Sequence, residues 1–527
     1  MEPLVSTQVL KDIDERAMNE YMIPSLLLME HAGVKGYHRM IELSGRSADP
    51  SATLVVVAGS GNNGGDALVM AREAYLSGRR QIQILLLGTH LSQSSIVHRQ
   101  IIENLKLDTH EISFTDGQLD SRTLVMLEQA DQIIDGILGT GLHSKVTDAT
   151  AALFHAINAQ RERGAHIVSV DVPSGYSDQL PATMAHVEAD ITLTFGLEKY
   201  GAYVPAFRRA WGEIKVVNPS FPLSLLDSVS PEALLARFQD VQIPAFTAQE
   251  YKNSRGHMAL LGGSEKYSGA VQLTSFSAFS SGVGLVSVFT DEKVAEVIKK
   301  DKPSLIVHTV EDHLPVKADS LKGYDAVVCG PGWGKGRERQ LQEILNGTVP
   351  VLLDADALAS FALLVAEKRI VTASLPPLVL TPHPGELRNM LERLSMPLWA
   401  QDSGPGGTPE AFAGALKSIA RALKVVLVYK SHIVWIVDGR KEEPVPVVVQ
   451  GNNNALGVAG SGDVLSGIIG ALVAGGLDVG DAAVSGVLLH QKAGELAREE
   501  RRWFDSQILT DYVAAAYALA EKKGVRG

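Results

Sequence analysis

The segment GSGNNGGD at Gly59–Asp66 joins an apolar run to a stretch of helical periodicity, the place where a chain offers unpaired backbone amides to an anion. Asn62 and Asn63 add two short amide side chains that a tight turn does not require. A structural turn is the plainer reading of the glycines alone. The match to a dinucleotide fingerprint is incomplete: Gly59, Gly61 and Gly64 take the glycine places, but Gly65 and Asp66 follow at once and no acid is placed for a ribose. Asp135 ends a second strand-like run before GILGTG, and Asp171 ends a third before VPSG. A parallel sheet would carry both acids to the carboxyl-end crevice that holds the Asn-Gly segment. Singly, each acid is as readily a cap or an Asx turn. Together, Asn63, Asp135 and Ser174 offer hard oxygen ligands for a monovalent or divalent cation, and Asp171 can exchange a proton with a substrate. The absence of a compact His/Cys cluster argues against zinc.

A second set of such residues follows in the other half of the chain. In AGSGDVLSG, Gly460, Gly462 and Asp463 precede an apolar helical run. Amides at a helix start can hold a phosphate there, beside a carboxylate able to deprotonate a hydroxyl. An exposed turn before a buried helix is the plainer reading, and no Walker A pattern occurs. His383 in LTPHPGE stands between two prolines that keep the backbone extended, which positions the imidazole at a strand end. DADAL at Asp354–Leu358 supplies two acids, at a strand end or simply in solvent.

These residues need a frame. ATLVVVAGSGNNGGDALVMAREAYLSG, QIQILLLG, ADQIIDGILGTGL, DATAALFHAINAQRERG and HIVSVDVPSG alternate strand and helix, which predicts a parallel sheet covered by helices on both faces. IPSLLLMEHAG reads as a buried helix. From Asn218 the texture changes to turn formers and one short helical segment, so we expect a first domain over 1–220, a connector over 221–244 and a second α/β domain over 245–527. Strand candidates of the second domain include HMALLGG, DAVVCGPG, VPVLLDADAL, LVLTPHPGE, KVVLVYKSHIVWIV and EPVPVVV. QDSGPGGTPEAF reads as a glycine-rich loop into a helix, with Thr408 as N-cap and Pro409 in the first turn.

Composition agrees with this layout. The 527 residues exceed what one core usually supports, and 45% apolar content with a mean hydropathy of +0.08 excludes a disordered chain. A formal charge of −12 gives no global attraction to nucleic acid or an anionic membrane. The single cysteine, Cys329, cannot form an intrachain disulfide, the acidic start lacks a secretory pattern, and no apolar run approaches a membrane span. A cytoplasmic setting is expected.

GNNGGD, DGILGTGL and DVPSG in combination resemble the YjeF-type N-terminal domain, an epimerase for hydrated nicotinamide cofactors, over roughly the first 220 residues. The resemblance implies a Rossmann-like three-layer domain in which Asn62, Asn63, Gly64, Gly65, Asp66, Gly139, Thr140, Gly141 and Leu142 hold hydrated NAD(P)H. It also implies that Asn63, Asp135 and Ser174 bind K⁺ and that Asp171 sits at the substrate. Ala67 replaces the glycine often found after GNNGGD. In the second half, GGSEKYSGA, GPGWG, DADAL, LTPHPGE and AGSGDVLSG resemble the ribokinase-like, ADP/ATP-dependent NAD(P)H-hydrate dehydratases over about 245–527. That resemblance implies nucleotide contact by Lys430, Ser431, His432, Ile433, Val434 and Gly462. Ala270, Gly332, His383 and Asp463 would lie at the hydrated cofactor, with Mg²⁺ accompanying ADP, or ATP as the alternative nucleotide. KSHIV departs from the frequent KG-x-x-T pattern at Ser431 and Val434, and GPGWG places Trp333 where a smaller apolar residue is common, for stacking or for packing.

The expected function is therefore repair of hydrated NADH and NADPH. The first domain would interconvert the R and S forms, and the second would dehydrate the S form with ADP, releasing AMP and phosphate. Asp171 and Asp463 are the expected proton-transfer residues. A homo-oligomer is what the family resemblance implies. A ribokinase-like small-molecule kinase with a regulatory N-terminal domain, or a non-catalytic ligand-binding scaffold, are the competing readings.

Overall fold

The computed structural model describes residues 1–43, 51–88, 91–310, 316–396, 407–451 and 453–524. Of the expected loop QDSGPGG, 401–406 lie outside the described residues, as does Asn452. Two compact units emerge from the contacts; Pro3–Glu232 form most of one, and the main body of the other begins at Ala233.

The first unit carries a seven-stranded, all-parallel sheet in the order Glu213–Val217, Ile191–Phe195, His166–Val170, Gln132–Gly136, Leu54–Ala58, Ile82–Leu86, Asp108–Glu111. Alternation along the central strand builds the layers. Leu54, Val56 and Ala58 join a core with Met40 of helix Ser25–Leu43 and with Ala67 and Met70 of helix Asn62–Leu76. Val55 and Val57 join the opposite core with Met126, Phe154 and Ile157 of helices Ser121–Glu128 and Asp148–Glu162. Continuous apolar strands between two helical layers are what a doubly covered parallel sheet requires. The chain winds outward in opposite directions from Leu54–Ala58 and Gln132–Gly136, so the crevice beyond their carboxyl ends is a topological switch point.

The second unit's sheet runs Ala233–Ala236, Val447–Gln450, Ile433–Asp438, Val426–Tyr429, Leu378–Leu380, Val351–Leu353, Ala326–Cys329, His257–Leu261, Leu285–Thr290, Ile306–Thr309. All pairings are parallel except those of Ile433–Asp438, which is antiparallel to both neighbours. Helices Ser268–Ser280, Ser461–Ala474, Val479–Arg501 and Ser506–Gly524 supply much of its core.

Three sequence expectations need correction. KVVLVYKSHIVWIV is a hairpin of two strands, Val426–Tyr429 and Ile433–Asp438, turning at Lys430–His432. Ala233–Ala236, inside the stretch read as turns and one short helical segment, is a strand paired with Val447–Gln450. Four residues of which none is β-branched gave no period to read. Finally, the later parts of both glycine segments, from Asn62 and from Ser461, are first turns of helices, while Gly61 and Gly460 are the N-caps ahead of them. The cap at Thr408 is as expected: its Oγ1 accepts from Ala411 N at 3.1 Å, and the helix starts at Pro409.

Candidate functional site

Helix Asn62–Leu76 begins at Asn62 with Gly61 as N-cap, so Asn62–Asp66 make up its first turn and a little more. Their glycines serve close approach: a Cβ on Gly64 would fall 1.9 Å from Gly59 O, and the helix start could not then meet the strand end. This brings Asn63 beside Gly139, where an added Cβ would lie 3.1 Å from the asparagine's own. Asp135 is completely enclosed. Its Oδ2 accepts from Ser169 Oγ at 2.8 Å and Ser174 N at 2.9 Å, while Oδ1 accepts from the Ser174 hydroxyl and from Ile137 N. Burial raises the Asp135 carboxyl, and these four neutral donors oppose the rise. Ser174 Oγ also lies 3.2 Å from Leu138 O, and Asn63 Nδ2 is buried without a hydrogen-bond partner among the described residues. Asn63, Asp135 and Ser174 are thus gathered as expected, with the Leu138 carbonyl as a further oxygen.

Asp171 stands just past strand His166–Val170 in the left-handed region, φ +63°, which turns its carboxylate into the crevice. Its Oδ1 accepts from Phe195 N at 3.0 Å and from Lys199 Nζ at 2.6 Å. Lys199 is wholly buried, its ammonium also donating to Thr194 Oγ1 and Phe195 O. A narrow cavity of about 90 Å³ opens here, lined by Asp14, Asn62, Asp66, Thr140, Asp171 and Phe195 among others. Burial, then Asp171 and Asp14, push the Asp66 carboxyl well above the usual carboxylate range. Asp14, on helix Thr7–Asn19, is open to solvent on one side and enclosed by protein on the other; desolvation and then Asp171 raise it to about 6 against the pull of Lys199.

Of the expected cofactor residues, Asn62, Asp66, Thr140 and Asp171 therefore share one cavity. Gly64 and Gly65 lie beneath the helix start, against Gly59 and Met29 respectively, and Gly141 and Leu142 are not among the cavity's lining. Sequence reasoning missed Asp14 and Lys199. A signal for Lys199 existed, the charged pair Glu198–Lys199 that follows the apolar run ITLTFGL, a run that pairs beside the Asp171 strand.

The second unit's site is wider, about 840 Å³, and Lys430, Ser431, His432, Val434, Gly462 and His383 contribute to its wall. Ile433 begins a strand and is fully buried. Helix Ser461–Ala474 starts at Ser461, with Gly460 as N-cap at φ +89°, so Gly462 and Asp463 occupy its first turn. Glycine takes that left-handed cap without strain and leaves the first amides facing the cavity. Under them Lys430 Nζ donates to Asp354 Oδ1 at 2.6 Å, and Ser466 Oγ donates to Asp354 Oδ2 at 2.7 Å. DADAL is accordingly a strand-end site: Asp354 is buried, and Asp356 Oδ2 accepts from Gly334 N at 2.8 Å. Burial, and then Asp354, raise the Asp463 carboxyl to about 7, with Lys430 opposing. Gly332 and Ala270 meet closely, a Cβ on the glycine lying 3.0 Å from that of Ala270. Trp333 is packed away at 4% exposure, which leaves no face for stacking on a ligand.

His383 is a helix N-cap rather than a bare strand-end group. Its Nδ1 accepts from Gly385 N and Glu386 N, and Glu386 Oε2 accepts from His383 N, a reciprocal capping box. With Nδ1 accepting, Nε2 at the exposed edge is left as the ring's donor. His490, also on the cavity wall, has Nε2 3.0 Å from Ser461 Oγ and 3.1 Å from Ser461 O. Enclosure pushes it down to about 4. Among the described residues, no group of three or more His, Cys, Asp or Glu is arranged to hold a metal, and no helix is long and apolar enough to cross a membrane.

A doubly wound sheet with an acid-lined switch point, together with a ribokinase-like sheet whose helix amides overhang a lysine–carboxylate pair, defines a two-domain α/β enzyme. The match to YjeF-related protein N-termini covers residues 25–201, and the match to the NAD(P)H-hydrate dehydratase model covers 258–515. The bifunctional NAD(P)H-hydrate repair enzyme Nnr of Coxiella burnetii is 30% identical over 85% of this chain and 86% of its own length. The Escherichia coli enzyme of the same name is 30% identical over 86% and 82%, and that of Moorella thermoacetica 29% over 94% and 93%. The chain belongs to the bifunctional NAD(P)H-hydrate repair enzyme family. Among solved structures, the ADP/ATP-dependent NAD(P)H-hydrate dehydratase of Bacillus subtilis, co-crystallised with ATP and Mg²⁺, is 25% identical over 54% of this chain and 96% of its own, with a TM-score of 0.45.

Proposed function

We propose that residues 1–220 interconvert the R and S forms of hydrated NADH and NADPH, and that residues 245–527 dehydrate the S form at the expense of ADP. The observation that carries this reading is the placement of Asp463. It is a carboxyl raised to about 7, in the first turn of a helix whose amides overhang a cavity of about 840 Å³, beside the Lys430–Asp354 pair.

In the second unit, Asp463 takes the proton from the C6 hydroxyl of the hydrated ring as that oxygen attacks the terminal phosphoryl of the nucleotide. The amides of the helix start and the Lys430 ammonium stabilise the charge that gathers on the phosphoryl oxygens. Loss of phosphate from C6 and of a proton from C5 then restores the ring double bond, leaving AMP when ADP is the donor. Among the described residues no three carboxylates are arranged to hold a metal, so a Mg²⁺ brought by the nucleotide would rest chiefly on its phosphate oxygens and would neutralise their charge alongside Lys430.

In the first unit, Asp171 handles the proton of the C6 hydroxyl while Asn62, Asp66 and Thr140 position the ring. K⁺ fits the oxygens gathered at Asp135: one enclosed carboxylate, the Leu138 carbonyl, the Ser174 hydroxyl and, beside Gly139, Asn63 Oδ1. An ion bound there would tie the Gly139–Leu142 turn to the helix start and supply positive charge beneath the substrate.

The test is recovery of reduced nicotinamide, followed by its near-ultraviolet absorbance, from a mixture of R and S hydrated NADH with Mg²⁺, K⁺ and ADP or ATP. Complete nucleotide-dependent recovery supports both activities. Recovery that stops at the S fraction removes the epimerase, and a stable phosphorylated product without recovery replaces the dehydratase by a kinase.

A further inference from the structure

Inversion at C6 places a demand on the site that one carboxylate does not meet. When the hydroxyl leaves as water, it takes a proton from the protein, and the N1 lone pair forms an N1=C6 double bond. Water then adds to the other face of the planar ring and gives up a proton. One water departs and one arrives, with no oxidation or reduction. The two faces are served by different groups, because a side chain fixed on one face cannot reach an oxygen on the other.

Four ionisable groups meet in this part of the first unit. Asp171 is held through Oδ1 by Lys199 at 2.6 Å, and Lys199 is itself wholly enclosed. Asp66, in the first helical turns at Asn62–Leu76, is buried, and burial raises its carboxyl. Asp14 comes from a different element, helix Thr7–Asn19, and lines the same cavity as Asp171 and Asp66. It is placed to use the freedom the others lack: it is open to solvent on one side, and no hydrogen-bond partner for its carboxylate is recorded among the described residues.

We propose that Asp14 is the second proton-transfer residue of the epimerisation, serving the ring face that Asp171 does not. This deepens the epimerase reading and rests on it. The active form of the pair carries one proton, given by one carboxyl to the departing oxygen and taken up by the other from the arriving water. Asp14 titrates near 6 because desolvation and the Asp171 charge outweigh the attraction of Lys199. The pair loses its shared proton as pH rises through that value, which sets the alkaline limb of a bell-shaped profile.

The experiment uses the full chain with ADP, Mg²⁺ and K⁺, offering R-hydrated and S-hydrated NADH separately. Consumption of the S form reports the second unit and serves as the internal control. Asp14→Asn is expected to slow recovery from the R form by roughly 100- to 10,000-fold, down to the uncatalysed interconversion, and to leave recovery from the S form unchanged. Asp14→Glu, which keeps the carboxyl on a longer arm, restores part of the R-form rate and, unlike Asp14→Asn, retains an alkaline limb. R-form recovery by Asp14→Asn at the wild-type rate and with the wild-type pH profile overturns the proposal. Wild-type protein that leaves the R form untouched while consuming the S form overturns the epimerase reading itself.

Discussion

Lys430 and Asp354 are joined at 2.6 Å beneath the first turn of helix Ser461–Ala474, and the carboxyl of Asp463 is raised to about 7 beside them. The pair cancels most of its own charge while leaving its dipole near the helix amides. Asp463 titrates within the neutral range.

Replacing Asp463 by Asn should lower dehydration of the S form by roughly 100- to 10,000-fold and leave R/S interconversion intact. In the wild type the carboxylate is the required base, so kcat/KM for dehydration should rise with pH through about 7 and level off above it. A flat profile between pH 5 and 9, in order-of-magnitude terms the window spanning two units on each side, would count against Asp463.

Lys199→Met should remove the partner of Asp171 and leave a carboxylate in a site built around an ammonium. Breaking a buried pair from one side costs about 3 kcal/mol, so the thermal transition of the first unit should move down. Interconversion of R and S should be lost with it, and ADP-dependent consumption of the S form should continue. Calorimetry and the two assays on the same preparation distinguish these effects.

Exchange of K⁺ for choline should lower the epimerase rate without affecting dehydration. Added K⁺ should raise the first unit's melting temperature, by an amount equivalent to about 1.4 kcal/mol for each tenfold excess over its dissociation constant. Asp135→Asn should abolish that response. Because burial raises the Asp135 carboxyl, protons compete with the cation, and the K⁺ effect should weaken as the solution is acidified.

His490 gives a stability prediction. Its folded value of about 4 lies below the ordinary 6.5, so the folded chain favours the neutral ring and the unfolded chain binds the proton more readily. The contribution is complete above about 6.5 and is lost as pH falls toward 4, a swing of about 3 kcal/mol. Urea unfolding of His490→Gln across that window should show a shallower acid slope than the wild type.

The parts of the site legible in the sequence are those in which the backbone itself is unusual. A helix start pressed against a strand end at Gly59 and Gly64 demands glycine, and the demand is local enough to see. Asp135 and Asp171 were legible because each ends an apolar run, and parallel strands put such ends on one side. Asp14 carries no such mark. It shares a face of an ordinary amphipathic helix with Leu10 and Met18 and acquires its role from residues more than 150 positions away. His383 stands out in the sequence between its prolines, but its work as a cap depends on a helix that begins at the next residue. The Lys430 hairpin was read as one strand because both arms are continuously apolar, which conceals a three-residue turn.

The cavity of the first unit draws its wall from Leu10 at one extreme and Phe221 at the other, across a sheet whose edge strand, Glu213–Val217, is made last. A chain emerging from the ribosome therefore has every glycine of the Asn-Gly segment long before it has a place for the substrate. Asp14 must wait through most of the unit's synthesis for Asp171 and Lys199 to arrive. Fragments cut short within the first two hundred or so residues, an order-of-magnitude boundary set by that late edge strand, should be inert however well their early βα units collapse.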